Sequence, residues 1–374
     1  MKATLVAWAI FFCTCAAWAQ EASAIDTSFQ RFGGLPALAY AEETGLQYGA
    51  LVMMFFKPIG PRDPGSQADF AVIFTTKNQK RVVLSPQIAL WNGKLRFEPE
   101  LQYRDWPGFY WGSGNTPTDS SLSYNMTQWQ LEGDLQAVLE DFSWLPQLVQ
   151  KHVELGFEYD FEKNRTKFNP HPALDSTWTS NPYPTASTSL GGNRMGLGWN
   201  VKWDSRDHDN WPRHGSMAWV RQVYFSKALG SDWDFMNTKV DLRTFLPTPL
   251  GGAWGMCAYW EGVRGDVPFD RLSQPDGTYH LRGLIKGMLR DREQAVLQGE
   301  WRVPLFWRFS AASFVEAGTV GSYFSKLWEN SPHYVVGLGG RMALNVQRKV
   351  NVRGDLSLVD GHHLGLTIYY KEAF

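Results

Sequence analysis

The sequence predicts an all-β fold: a transmembrane antiparallel β-barrel of about sixteen strands, with one long loop folded into the lumen. Three observations lead there. Apolar and polar residues alternate with a period of two along segments of about ten residues, the length a tilted strand needs to cross a bilayer. Aromatic residues are abundant, with 18 Trp, 14 Tyr and 23 Phe, a load that suits a membrane interface as well as a large core. Past the first twenty residues there is no run of about 18 apolar residues. Helical spans are therefore excluded, whereas a barrel strand needs only one apolar face.

Taken in chain order, the opening "MKATLVAWAIFFCTCAAWAQ" has the pattern of a leader. Lys2 supplies the positive end, Ala3 to Phe12 the short apolar core, and Ala17-Trp18-Ala19 a cleavage site. Once residues 1–19 are removed, Cys257 is the only cysteine, so internal disulfides play no part. Residues 20–45 form a short N-terminal segment and residues 46–374 the barrel.

Candidate strands run near 47–56, 69–76, 81–90, 94–103, 122–132, 135–142 and 151–161. In "GNRMGLGWNVKWDSRD" the next strand is plain: Met195, Leu197, Trp199, Val201 and Trp203 share one face, Arg194, Asn200, Lys202 and Asp204 the other. After 215–226, "DFMNTKVDLRTFLP" repeats the pattern, with Met236, Val240 and Leu242 opposite Asn237, Lys239, Asp241 and Arg243. Strands near 252–263, 294–303, 306–317, 334–343, 347–357 and 363–374 complete the set. A soluble sandwich also alternates, but its strands are usually about five or six residues long. Asn92-Gly93 marks a hairpin turn, and the Pro- and Gly-rich stretches 57–67, 104–120 and 164–192 predict loops. In the last strand Leu366, Ile368 and Tyr370 share a face and Phe374 is terminal. That pattern resembles the C-terminal signal by which outer-membrane barrels reach their assembly machinery.

Several motifs carry a wider resemblance. Leu281-Arg282-Gly283-Leu284 lies in the long loop between strands, Glu300-Trp301-Arg302-Val303-Pro304-Leu305 follows, and then Phe314-Val315-Glu316-Ala317-Gly318. The segment "WDSRDHDNWPRHGS" has the form of a D-x-R-D…P-x-x-G turn through Asp204, Arg206, Asp207 and Gly215, and "LPALAYAEETGLQYGA" that of an entry into a first strand. Together these resemble the BamA/TamA-like bacterial surface antigen superfamily, whose long sixth extracellular loop carries a V-R-G-F/Y motif. Leucine stands at 281 and 284 in place of valine and an aromatic, and Glu316 in place of aspartate. The front departs more. Only about 25 residues separate the cleavage site from the strand near 47, too few for the periplasmic POTRA domains of that family's best-known members.

Arg282 is the candidate functional residue. About eleven residues between Gly283 and the next strand reach more than ~30 Å, enough for the loop to fold back into the lumen. There, alternation turns Glu300 and Glu316 inward from adjacent strands, and a guanidinium fork can engage both. Gly283 permits positive φ or close backbone approach. With the family pattern, these residues and Gly318 imply a loop-to-lumen latch.

Other classes of function are excluded or left without support. The 36 basic and 37 acidic residues give a formal net charge of -1, which argues against a nucleic-acid partner. The stretch Asp204 to Asp209 lacks the glycine and distal glutamate of a calcium loop. His208, His214, His362 and His363 offer no convergent metal set, so neither metal nor other cofactor is expected. No nucleophile–base–orienter set points to an enzyme. The resemblance implies a bacterial outer-membrane barrel that inserts or translocates proteins, using the seam between its first and last strands (47–56 and 363–374) as a weak edge. Expected partners are outer-membrane lipids including lipopolysaccharide, the assembly machinery for the chain's own insertion, and an unfolded client or a separate periplasmic protein. A passive pore or a membrane anchor is the alternative reading.

Overall fold

A computed structural model describes residues 32–41, 44–56, 65–117, 121–139, 146–168, 190–249, 251–345 and 349–374. The expected leader, residues 1–19, and residues 20–31 of the N-terminal segment lie outside the described residues.

The chain forms β1 (Phe32–Ala41), β2 (Gly45–Phe55), β3 (Gln67–Thr75), β4 (Lys80–Leu90), β5 (Leu95–Tyr110), β6 (Leu122–Val138), β7 (Val153–Phe168) and β8 (Leu190–Asp204). It continues through β9 (Gly215–Phe225), β10 (Phe235–Pro247), β11 (Ala253–Gly265), β12 (Glu293–Pro304), β13 (Phe309–Gly321), β14 (His333–Asn345), β15 (Val350–Val359) and β16 (His363–Tyr370). Short helices α1 (Gln147–His152) and α2 (Lys326–Glu329) sit in connections. Every strand pairs antiparallel with its sequence neighbour, and β1 meets β16 to close the barrel.

Alternation decides which way each side chain faces. On β12 and β13 Leu297 and Val315 are 59% exposed on the outer wall, while Glu300 is 0% exposed on the inner one. The inner wall is charged and hydrogen-bonded. The apolar face meets the bilayer, where strands are stable only because closure leaves few unpaired backbone groups.

The expected strand count holds through two compensating differences. Residues 122–132 and 135–142 were expected as two strands, but β6 runs unbroken through Val138. Conversely, β1 occupies part of the expected N-terminal segment 20–45, so among the described residues the barrel already includes Phe32–Ala41, ahead of 46. Gly33, Gly34 and Pro36 hide β1, since both residue types are depleted in strands and proline is confined to edges. The seam is therefore β1 with β16, not the strand near 47–56. The expected loop 164–192 also shrinks, because β7 extends to Phe168 and β8 begins at Leu190.

The seam differs from every other junction. All 10 residues of β1 pair with β2, but only Tyr40↔Ile368 joins β1 to β16 among the described residues. The last strand stops at Tyr370 instead of continuing to Phe374. Lys371 takes a left-handed conformation (φ 66°), and residues 372–374 are buried.

Candidate functional site: a loop held across the lumen

Between Gly265 and Glu293 the chain leaves the wall and enters the barrel. Local polar contacts shape its tip. The Asp276 carboxylate accepts from the backbone N–H groups of Thr278 (2.8 Å), Tyr279 (2.6 Å) and His280 (3.1 Å), an aspartate-built turn that reverses the chain. The His280 ring stacks on Tyr259 of β11, with centroids 4.2 Å apart. Arg282 follows, flanked by Leu281 (φ 52°) and Gly283 (φ 89°).

Arg282 is fully buried and is met from three strands. Its Nη1 donates to Glu300 Oε2 at 2.6 Å and to Asp355 Oδ2 at 3.2 Å. Its Nε donates to Glu316 Oε1 at 2.5 Å, and its backbone N–H to Glu316 Oε2 at 2.8 Å. Phe314 closes one face of the guanidinium, its ring centroid 3.4 Å from the central carbon. The structure thus brings Arg282 against both Glu300 and Glu316, and adds Asp355 of β15. Gly318 underlies the neighbouring residue: a Cβ there would lie 3.1 Å from Leu281 Cδ1.

A second ring of arginines balances these carboxylates. Arg302 Nε donates to Glu300 Oε1 (2.6 Å), Arg341 Nη1 to Asp355 Oδ1 (2.6 Å), and Arg353 Nη1 to Asp355 Oδ2 (2.7 Å). Arg353 Nη2 also donates to the loop carbonyl of Thr278 at 2.5 Å. Charges this deeply buried persist only when paired and hydrogen-bonded on several sides, and the lattice of four wall strands supplies that.

Gly283 makes the approach to β16 feasible. A Cβ at Gly283 would fall 3.1 Å from Gly365 Cα and 3.0 Å from Ser357 Cβ, and one at Gly365 would collide with the Gly283 backbone. Two glycines let loop and strand touch main chain to main chain. Tyr279 adds an edge-on contact with Tyr369, centroids 5.4 Å apart.

The loop has a second anchor on the other side of the lumen. Arg194 Nη2 of β8 donates to Asp270 Oδ1 at 2.7 Å, and Asn164 Nδ2 of β7 to Asp270 Oδ2 at 2.9 Å. Arg271 donates to Asp160 Oδ2 at 3.0 Å and also pairs with Glu162. Phe269 packs edge-on against Tyr110 and Tyr124, and Gly114 N–H donates to the Arg290 carbonyl at 2.7 Å. Sequence reasoning missed this anchor and Asp355. The only available signal was the inward alternation of Asp160, Glu162 and Asn164, and of Arg353 and Asp355, on strands already recognised.

The turn between β8 and β9 lies at the end of the barrel where the chain finishes. Arg206 forks Asp204 through Nε (2.9 Å) and Nη2 (2.6 Å). Asp207 Oδ1 accepts from the N–H groups of Arg213 (2.8 Å) and His214 (3.2 Å). Burial opposes ionisation of Asp207, but these N–H groups outweigh it and hold its carboxyl below the ordinary range. Gly215 completes the turn at φ 99°. In β16, Leu366 and Ile368 occupy the outer-facing alternation. Tyr370 ends the strand, its side chain lying outside the described residues, and Phe374 turns inward against Phe245.

Among the described residues sixteen antiparallel strands close into a barrel, and a loop whose arginine is latched to the inner wall crosses its lumen, the architecture of an outer-membrane β-barrel. The chain belongs to the Omp85 superfamily, whose domain matches residues 69–343. No relative among curated proteins matches it. Among solved structures it is similar to BamA from Haemophilus ducreyi lacking POTRA domains 1-3, with a TM-score of 0.62 and 12% identity over 92% of this chain and 70% of that one. It is also similar to CdiB from Escherichia coli (TM-score 0.59, 9% identity, 93% and 64% covered) and CdiB from Acinetobacter baumannii (0.53, 12%, 92% and 60%). The chain therefore spans less than two thirds of either CdiB chain. At these identities the likeness is one of fold.

Proposed function

We propose that this chain, exported by the leader at residues 1–19, assembles or translocates proteins at the outer membrane, using the β1–β16 seam as the site where a client strand docks. The observation that carries this reading is that, among the described residues, one register pair, Tyr40↔Ile368, joins the seam. An edge with unpaired N–H and C=O groups templates strand addition, and in a bilayer such groups gain strongly from a partner. No bond is made or broken, so no catalytic group is needed. Outer-membrane lipids including lipopolysaccharide surround the apolar wall, and a separate periplasmic protein delivers the client. Membership of the Omp85 superfamily supports the reading.

The rival, a passive pore, is disfavoured by the loop anchored on both sides of the lumen. The test is to place the purified barrel in liposomes and follow the folding of a denatured outer-membrane barrel by its heat-modifiable gel mobility. Faster client folding than in protein-free liposomes is expected. Ion conductance without assisted folding would overturn the proposal in favour of the pore.

A further inference from the structure

The arginines that hold the loop are each paired with carboxylates; one row of the inner wall is not balanced in this way. Residues directly opposite one another run from Ile73 on β3 through Arg81 on β4, Arg104 on β5 and Gln128 on β6 to Asn164 on β7. Two arginines therefore face each other across adjacent strands, a placement that like-charge repulsion destabilises. Arg81 has one remote carboxylate, Glu100, at 3.7 Å, and Glu100 also accepts from Ser85 Oγ at 3.0 Å. Among the described residues the Arg104 guanidinium makes no hydrogen bond or salt bridge, and the Nε atoms of both arginines are buried without an acceptor. Glu162 and Asp270 act on Arg104 only at longer range, because Arg194, Arg271 and Asn164 already hold them.

The next residue in the row is also incomplete. Asp160, a carboxylate that only accepts, takes Gln130 Nε2 at 3.0 Å. That fixes the Gln130 amide with its oxygen toward Gln128, which donates to it through Nε2 at 3.4 Å. Gln128 Oε1 is then turned away, buried and without a donor, on a side chain only 2% exposed. Three neighbouring positions thus present two cations lacking anions and one acceptor lacking a proton. Unsatisfied groups of this kind are uncommon in a folded interior. The row is also reachable. Arg81 is the second residue of β4, just past the short turn at 76–79, and its side chain remains 33% exposed. That turn follows an odd-numbered strand, as does the loop carrying Arg282, so both lie at the same end of the barrel.

We propose that Arg81, Arg104 and Gln128 form a lumenal binding site for a phosphate monoester. Its charged oxygens accept from the two guanidiniums, a pairing whose planar geometry arginine favours. A hydroxyl proton on the phosphate or on the alcohol it esterifies is donated to Gln128 Oε1. The occupied site removes the repulsion between the arginines and satisfies the acceptor at once. It shares no residue with the Arg282 latch and does not depend on how the seam is used.

The test is thermal melting of the purified barrel in maltoside detergent at constant ionic strength, with inorganic phosphate replacing chloride. Phosphate is expected to raise the melting temperature, and sulfate, which has no proton for Gln128, to raise it less. Arg104→Gln is expected to melt above the wild type without phosphate, because the repulsion is gone, and to bind phosphate about tenfold more weakly, as befits a lost charge-assisted hydrogen bond. Arg81→Gln should lose the phosphate effect as well. Heat-modifiable gel mobility confirms that each variant is folded. A second arm compares lipopolysaccharide with its phosphatase-treated form. Protection lost on dephosphorylation assigns the site to a lipid headgroup, and equal protection by the two forms assigns it to a free phosphate compound. Phosphate protection unchanged in Arg104→Gln, or a variant that melts below the wild type, would overturn the site, and sulfate matching phosphate would overturn the part given to Gln128.

Discussion

Replacing Arg282 with alanine is expected to leave a barrel that assembles but melts several degrees below the wild type. Assembly survives because the ladders from β1 to β16 do not depend on the loop. Stability falls because Glu300, Glu316 and Asp355, all fully buried in their side chains, lose the cation between them. Breaking a buried pair by removing one partner is worth about 3–5 kcal/mol, mostly through the uncompensated charge left behind. Arg282→Lys rescues little, since one ammonium cannot reproduce a planar fork aimed at three carboxylates. Thermal melting by circular dichroism measures the effect, and a wild-type melting curve for Arg282→Ala would refute it.

Gly283→Val is expected to dislodge the loop while sparing its charges. Two costs combine at that position. A β-branched residue at φ 89° is strained by about 1–3 kcal/mol, and its Cβ would lie 3.0 Å from Ser357 Cβ and 3.1 Å from Gly365 Cα, tighter than van der Waals contact. Gly365→Val presses on the same Gly283 backbone from the strand side, without the positive φ, and so separates contact from strain. The readout is trypsin. Arg282 and Arg290 are almost wholly buried, and in Gly283→Val cleavage in the loop should accelerate while the strands stay resistant. A loop as protected as in the wild type would show that the glycine contact does not hold it.

How much of this was legible follows from where each signal lies along the chain. The wall was legible because strand alternation is a local pattern; Met195 to Trp203 display it without any tertiary information. Glu300 and Glu316 were legible as partners because they sit on adjacent strands just after the loop that carries Arg282. Asp355 lies 73 residues beyond Arg282, and Arg271 meets Asp160 across 111 residues. Alternation says that such residues face inward, but not which of them meet across a lumen. The first strand was illegible for a local reason: Gly33, Gly34 and Pro36 carry the marks of a loop, and only the edge position tolerates them. The inward turn of Phe374 was hidden because strand periodicity up to Tyr370 gives no warning of the left-handed Lys371 that ends it.

The loop is anchored at Arg282 on one side of the lumen and at Asp270 and Arg271 on the other, and so is expected to obstruct it. Barrels of this strand number otherwise enclose an aqueous channel. Single-channel recording in planar bilayers measures that obstruction directly. The wild type should show no steady porin-sized current, and such current should appear when Arg282→Ala is combined with Asp270→Asn and Arg271→Gln. A steady, porin-sized conductance in the wild-type barrel would show that the anchored loop does not obstruct the lumen.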